Sequence, residues 1–94
     1  MPQKARAVEA ALKSKGFRDA PKRDHTYYFL HYKGKKTNIF TKISHGAKEI
    51  GDPNCSLMAK QMRLTNPQFK DFVECPLGPE DYVKLLIAAK QIEV

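Results

Sequence analysis

The stretch from His25 to Ser44 constrains the fold more than any other. His25 to Tyr32 is rich in aromatic residues and Thr37 to Ser44 in β-branched ones, the composition of two strands. Lys33-Gly34 stands between them, and glycine accepts the positive φ that a two-residue hairpin turn demands. An antiparallel hairpin is therefore expected, pairing Tyr32 with Lys35, Leu30 with Thr37 and Tyr28 with Ile39. Side chains alternate along a strand, so one face would carry Tyr28, Leu30, Ile39 and Ile43 into the core. The other would carry His25, Tyr27, Phe29 and His31 beside Lys36, Asn38, Phe40 and Lys42. A slip of one residue would exchange the two faces.

The flanking segments supply partners for that hairpin. In residues 4 to 15, Ala5, Val8, Ala11 and Leu12 form an apolar stripe at helical spacing. Lys13 and Lys15 fall in the last turn of that helix and Gly16 is placed to end it. Phe17 to Asp19 reads as a short strand halted by Pro21, and Lys22-Arg23-Asp24 as a polar loop. His45 to Gly51 reads as a loop. Asp52-Pro53 is a cap followed by a first-turn proline, opening a helix to about Leu64 with Cys55, Met58, Ala59 and Met62 on its inner face. Thr65 and Gln68 have capping-box spacing before a short helix that buries Phe69, Phe72 and Val73. Cys75 to Gly78 is a turn. From Pro79 a last helix repeats Tyr82, Leu85, Leu86 and Ala89. The expected class is α+β, with a three-stranded antiparallel sheet, helices on one of its faces and a C-terminal helical hairpin.

A chain of 94 residues is one modest core, and 41% apolar with 29% charged residues is the composition of a folded domain rather than a disordered one. The net charge of +7 is unevenly placed. Residues 1 to 48 hold twelve Lys or Arg against three acids, while residues 49 to 94 hold five against seven. A field concentrated in one half draws polyanions, each neutralised phosphate releasing a counterion. Cys55 and Cys75 lie far apart, and no Cys or His group has zinc spacing. The start Met1 to Arg6 has no apolar signal core, and no apolar run is long enough to span a bilayer. Together these predict a reduced, cytoplasmic protein with no membrane partner.

No phosphate-binding glycine loop and no carboxylate pair in the basic half stands out. The residues able to move a proton near neutral pH are His25, His31 and His45. His25 follows Lys22-Arg23 at the start of a strand, where an imidazole can act on a ribose 2′-hydroxyl while cations hold the phosphate. The alternative is a strand histidine that serves packing or the surface. Tyr27, Phe29 and Phe40 are of the type that stacks on bases, and equally of the type that fills a core.

Several motifs stand in a familiar order: Leu12 to Phe17 ending in Gly16-Phe17, His25-Thr26-Tyr27-Tyr28, Lys33-Gly34-Lys35, His45 to Ile50 beginning His-Gly, and Met58 to Met62. In that order and spacing, residues 5 to 65 resemble the HicA family, the small toxins of HicAB toxin–antitoxin pairs. The resemblance implies an α-β-β-β-α fold like that of double-stranded-RNA-binding domains, spanning residues 1–65, with residues 66–94 a helical extension packed on the same domain. It implies metal-independent cleavage of messenger RNA, with no small-molecule cofactor, and silencing by a HicB-like antitoxin. The family's catalytic histidine falls on His25. The Gly-Ser that precedes it in the family is Arg23-Asp24 here, and residues 66 to 94 have no counterpart in short members.

Three readings follow. In the first, the chain is an RNA-cleaving enzyme with His25 as general base or acid, and with Lys22, Arg23, Tyr27, Lys33, Lys35, Lys36, Lys42 and His45 contacting RNA. In the second, it binds RNA on the same surface without catalysis. In the third, residues 57 to 65 and the helix after them form a DNA-binding helix-turn-helix. Arg63 stands where the turn glycine usually does, and Asp71 and Glu74 set a poor charge for a major groove.

Overall fold

The computed structural model describes residues 3–74 and 76–92. The order is β1 (Gln3–Lys4), α1 (Ala5–Ser14), β2 (Phe17–Pro21), β3 (His25–Tyr32), β4 (Lys35–Ser44), β5 (Glu49–Ile50), α2 (Asp52–Gln61), α3 (Asn66–Glu74) and α4 (Pro79–Ala88). Strands β2-β3-β4 form an antiparallel sheet in that order, and β1 pairs with β5 in a separate two-stranded ribbon. The expected α+β class and three-stranded antiparallel sheet are both present. The helices bury Val8, Leu12, Met58, Ala59 and Met62 against Tyr28, Leu30, Ile39 and Ile43 in one core.

The hairpin turn has positive φ at both residues, 52° at Lys33 and 79° at Gly34; glycine adopts it freely, and the two-residue turn holds Lys33 in it. The register differs from expectation beyond the second pair. Tyr32 faces Lys35 and His31 faces Lys36, but Phe29 faces Phe40 and Tyr28 faces Thr41. Leu30 is left opposite a bulge at Thr37 to Ile39, because the Thr37 hydroxyl donates to the Leu30 carbonyl (2.9 Å) and accepts from the Ile39 N–H (3.2 Å). The shift is two residues, so the faces are conserved and Tyr28, Leu30, Ile39 and Ile43 are buried as expected. Pro21 is admitted to β2 because that strand lies at the sheet edge.

Other boundaries move for local reasons. Helix α1 ends at Ser14, and Gly16 follows with φ of 103°. Lys15 therefore does not serve the last turn of α1. It is 6% exposed, and its ammonium donates to the carbonyl of Phe72 and to that of Leu77 (2.8 Å), neutralising the carbonyl end of α3. Strand β5 occupies part of the segment expected to be a loop, and its partner β1 takes Lys4 from the start of the expected first helix. The cap of α2 falls on Gly51, one residue before Asp52, and the helix stops at Gln61, three residues before Leu64. Ala89 is exposed because α4 has ended. The turn from Cys75 to Gly78 includes Cys75, which lies outside the described residues.

The C-terminal helices are part of the core. Thr65 and Gln68 form the reciprocal capping box, Thr65 N–H to Gln68 Oε1 at 2.9 Å and Gln68 N–H to Thr65 Oγ1 at 3.3 Å. Phe72 meets Phe17 edge-on at 6.1 Å between centroids and Tyr82 at 5.1 Å. The Tyr82 hydroxyl donates to the Met62 carbonyl (2.8 Å), and burial pushes its pKa up, which keeps it a donor. Tyr82→Phe would strand that carbonyl and is expected to cost about 1–2 kcal/mol, read from urea denaturation.

Candidate nucleic-acid interface

His25 opens β3 opposite Ser44, at the end of the sheet away from the Lys33-Gly34 turn. Two main-chain bonds gather the neighbouring segments around it. The Lys22 N–H donates to the His25 carbonyl (2.8 Å), folding the loop of Lys22, Arg23 and Asp24 back on the strand. The His45 N–H donates to the Asp24 carbonyl (3.0 Å), holding His45 at the same end. Lys22, Arg23 and His45 are exposed, whereas His25 is half-buried. Tyr27, two residues along the same face, pairs with Lys42, whose ammonium lies 5.9 Å from the ring centroid. Six of the residues expected from the sequence thus share one end of the sheet.

His25 lines a cleft of about 100 Å³ between the end of the hairpin, β5 and one face of α2 from Asn54 to Gln61. Lys42, Ser44, Glu49, Asn54 and Gln61 supply its other polar groups. The buried Thr41 hydroxyl donates to Gln61 Oε1 (2.8 Å), so what Gln61 can offer a ligand is its amide N–H. Asn54 and Gln61 do not stand out in the sequence, where the buried stripe Cys55, Met58 and Ala59 dominates α2. Asn54, Leu57 and Gln61 recur at spacings of three and four beside that stripe, a signal that a second face is in use. Leu57, at the rim, is 49% exposed.

The remaining lysines lie elsewhere. Lys33 and Lys35 lie at the hairpin turn, where an eight-residue strand places their Cα atoms roughly 25 Å from that of His25, and Lys36 beside them reaches back over the Phe29 ring. No single phosphate touches both groups; only a ligand running along the sheet does. Among the described residues, no group of three or more His, Cys, Asp or Glu is placed to hold a metal ion. None of their helices is long and apolar enough to cross a membrane.

The α2–α3 pair offers DNA little. Arg63 takes the left-handed turn conformation with φ of 65°, and α3 turns Phe69, Phe72 and Val73 inward. Gln68 is engaged by Thr65, Lys70 is half-buried, and the exposed positions include Asp71 and Glu74.

No family model, curated protein or solved structure matches this chain.

Proposed function

We propose that the chain binds RNA at the His25 end of its sheet and cleaves it as a HicA-like mRNA interferase. The observation that carries this reading is the surroundings of His25. A half-buried imidazole borders a polar cleft beside Lys42, with Lys22, Arg23 and His45 tied to the same end by main-chain bonds. Cations there would hold a phosphate while the imidazole takes the proton of the adjacent 2′-hydroxyl. The freed oxygen attacks phosphorus, the bond to the 5′ oxygen breaks, and that oxygen takes a proton from solvent. The products are a 2′,3′-cyclic phosphate and a 5′-hydroxyl, and the imidazolium returns its proton to water. Exposed Leu57 at the rim suits a HicB-like antitoxin that silences the site by covering it.

The test is incubation of RNA with the purified protein in the presence of chelator, beside a His25→Ala variant shown to be folded by circular dichroism. Cleavage by the parent alone is expected, with both proteins binding. Binding without cleavage by the parent would assign the same surface to a non-catalytic RNA-binding module. Lys22→Gln and Lys42→Gln are each expected to weaken binding across sequences and to reduce the slope of log K against log salt by about 0.7 for a single strand. Anisotropy titrations at several salt concentrations read both quantities.

A further inference from the structure

The fold alone does not choose between duplex and unpaired RNA, but the open face of the sheet does. Residues paired directly across an antiparallel ladder share a face. Phe29 faces Phe40 across β3–β4 and Arg18 across β2–β3, while Tyr27 faces Lys42. Tyr27, Phe29 and Phe40 are half-buried on the face opposite the core. Their centroids are 6.1 Å (Tyr27–Phe29), 6.0 Å (Tyr27–Phe40) and 5.7 Å (Phe29–Phe40) apart, with interplanar angles of 14°, 30° and 34°. The three rings form one contiguous patch, with Tyr27 and Phe29 near-parallel and Phe40 tilted by about 30°, on the face opposite Tyr28, Leu30 and Ile39.

Charge selects the occupant. The Lys36 ammonium lies over the Phe29 ring, 3.9 Å from its centroid, and that of Lys42 lies 5.9 Å from the Tyr27 centroid, so a base stacking on Phe29 takes the place of the exposed Lys36 side chain and leaves its ammonium for phosphate. The strands β2, β3 and β4 contain a single acid, Asp19, and it pairs with Tyr28 on the other face. Aromatic rings with cations and no carboxylate fit a polyanion that has flat apolar faces to offer. In an RNA duplex those faces are hidden within the stack, whereas an unpaired strand presents them.

We infer that the outer face of the sheet is a stacking platform for unpaired bases of single-stranded RNA. Tyr27, Phe29 and Phe40 are its stacking rings, and Arg18, Lys36 and Lys42 its phosphate contacts. The inference rests on the RNA reading above and adds to it the class of RNA and its path. A strand laid on the rings runs from the lysines of the hairpin turn toward His25, spanning the roughly 25 Å that separates the two groups.

The experiment uses the full chain carrying His25→Ala, so that the RNA stays intact. It measures anisotropy of a labelled 12-nucleotide RNA, single-stranded or annealed to its complement. Phe29→Leu/Phe40→Leu is then added; it removes two rings from a solvent-facing surface while keeping apolar bulk, and circular dichroism checks the fold. Tighter binding of the single strand is expected, with about a 5- to 100-fold loss in the double-leucine variant and an unchanged salt slope. Lys36→Gln should instead lower the slope. Preference for the duplex, or undiminished binding by the leucine variant, would overturn the platform and leave RNA binding in place. Binding of neither RNA would remove the RNA reading and the platform with it. A leucine variant that alters self-association in sedimentation and not RNA affinity would make the face an interface between copies, and would also overturn the proposal.

Discussion

Phe72→Ala is expected to destabilise the domain by about 3–5 kcal/mol. Phe72 is fully buried, with its ring against Phe17 of β2 and Tyr82 of α4 and its carbonyl accepting from the buried Lys15 ammonium. The cavity left by alanine would be walled by separate elements, which limits how far it can collapse. Domains of this kind are stable by about 5–15 kcal/mol, so the loss is a large share of the total. The melting temperature should fall by well over 10 °C, and the urea midpoint in proportion. A loss below about 1 kcal/mol would show that α3 and α4 only cover a domain stable without them. The large value would show instead that the segment after Thr65 completes the core, on the side of the sheet opposite Tyr27, Phe29 and Phe40.

His25→Ala is expected to lower the rate of RNA cleavage by about 10²–10⁴-fold, the usual contribution of a positioned general base. That corresponds to roughly 3–5 kcal/mol of transition-state stabilisation. The half-buried imidazole lies at the rim of the cleft and outside the hydrophobic core, so stability should change by no more than about 1 kcal/mol. Affinity for intact RNA should stay within a few-fold of the parent, because the cations and rings remain. Lys42→Gln provides the contrast, since it should weaken binding and cleavage together. If His25→Ala cleaves like the parent, the imidazole has a structural role and the chemistry lies elsewhere.

Features set by local chemistry were legible in the sequence. The Lys33-Gly34 turn needs positive φ and has it at both positions. Thr65 and Gln68 satisfy each other's main-chain N–H groups within one helical turn. The buried stripes of α1, α2 and α3 follow helical spacing. What could not be read depends on distant partners or on one side chain's choice. Thr37 looks like any β-branched strand residue, yet its hydroxyl captures the Leu30 carbonyl and displaces the register by two. Because two is the period of a strand, the assignment of faces survived that error. Lys15 bonds to carbonyls 57 and 62 residues away, which no local pattern announces. The two-residue strands β1 and β5 are too short to carry alternation.

The candidate site was legible in part for the same reasons. His25, Tyr27 and Lys42 meet because they share one hairpin, and main-chain bonds bring Lys22, Arg23 and His45 to them. Lys33, Lys35 and Lys36 are near in sequence but belong to the far end of the sheet, a separation that only strand length reveals. Asn54 and Gln61 reach the cleft from α2, so their role depends on how that helix docks.

Cleavage of RNA through its own 2′-hydroxyl, with His25 moving the proton, is the proposed activity of this chain. Its most direct test compares a labelled single-stranded RNA with the same sequence made of 2′-deoxynucleotides, in the presence of chelator, with analysis of the product ends. The expected result is RNA cut to 2′,3′-cyclic phosphate ends by the parent and not by His25→Ala, and a deoxy strand that is bound but intact. Failure to cut RNA, equal cutting of the deoxy strand, or RNA products ending in a free 3′-hydroxyl would contradict it.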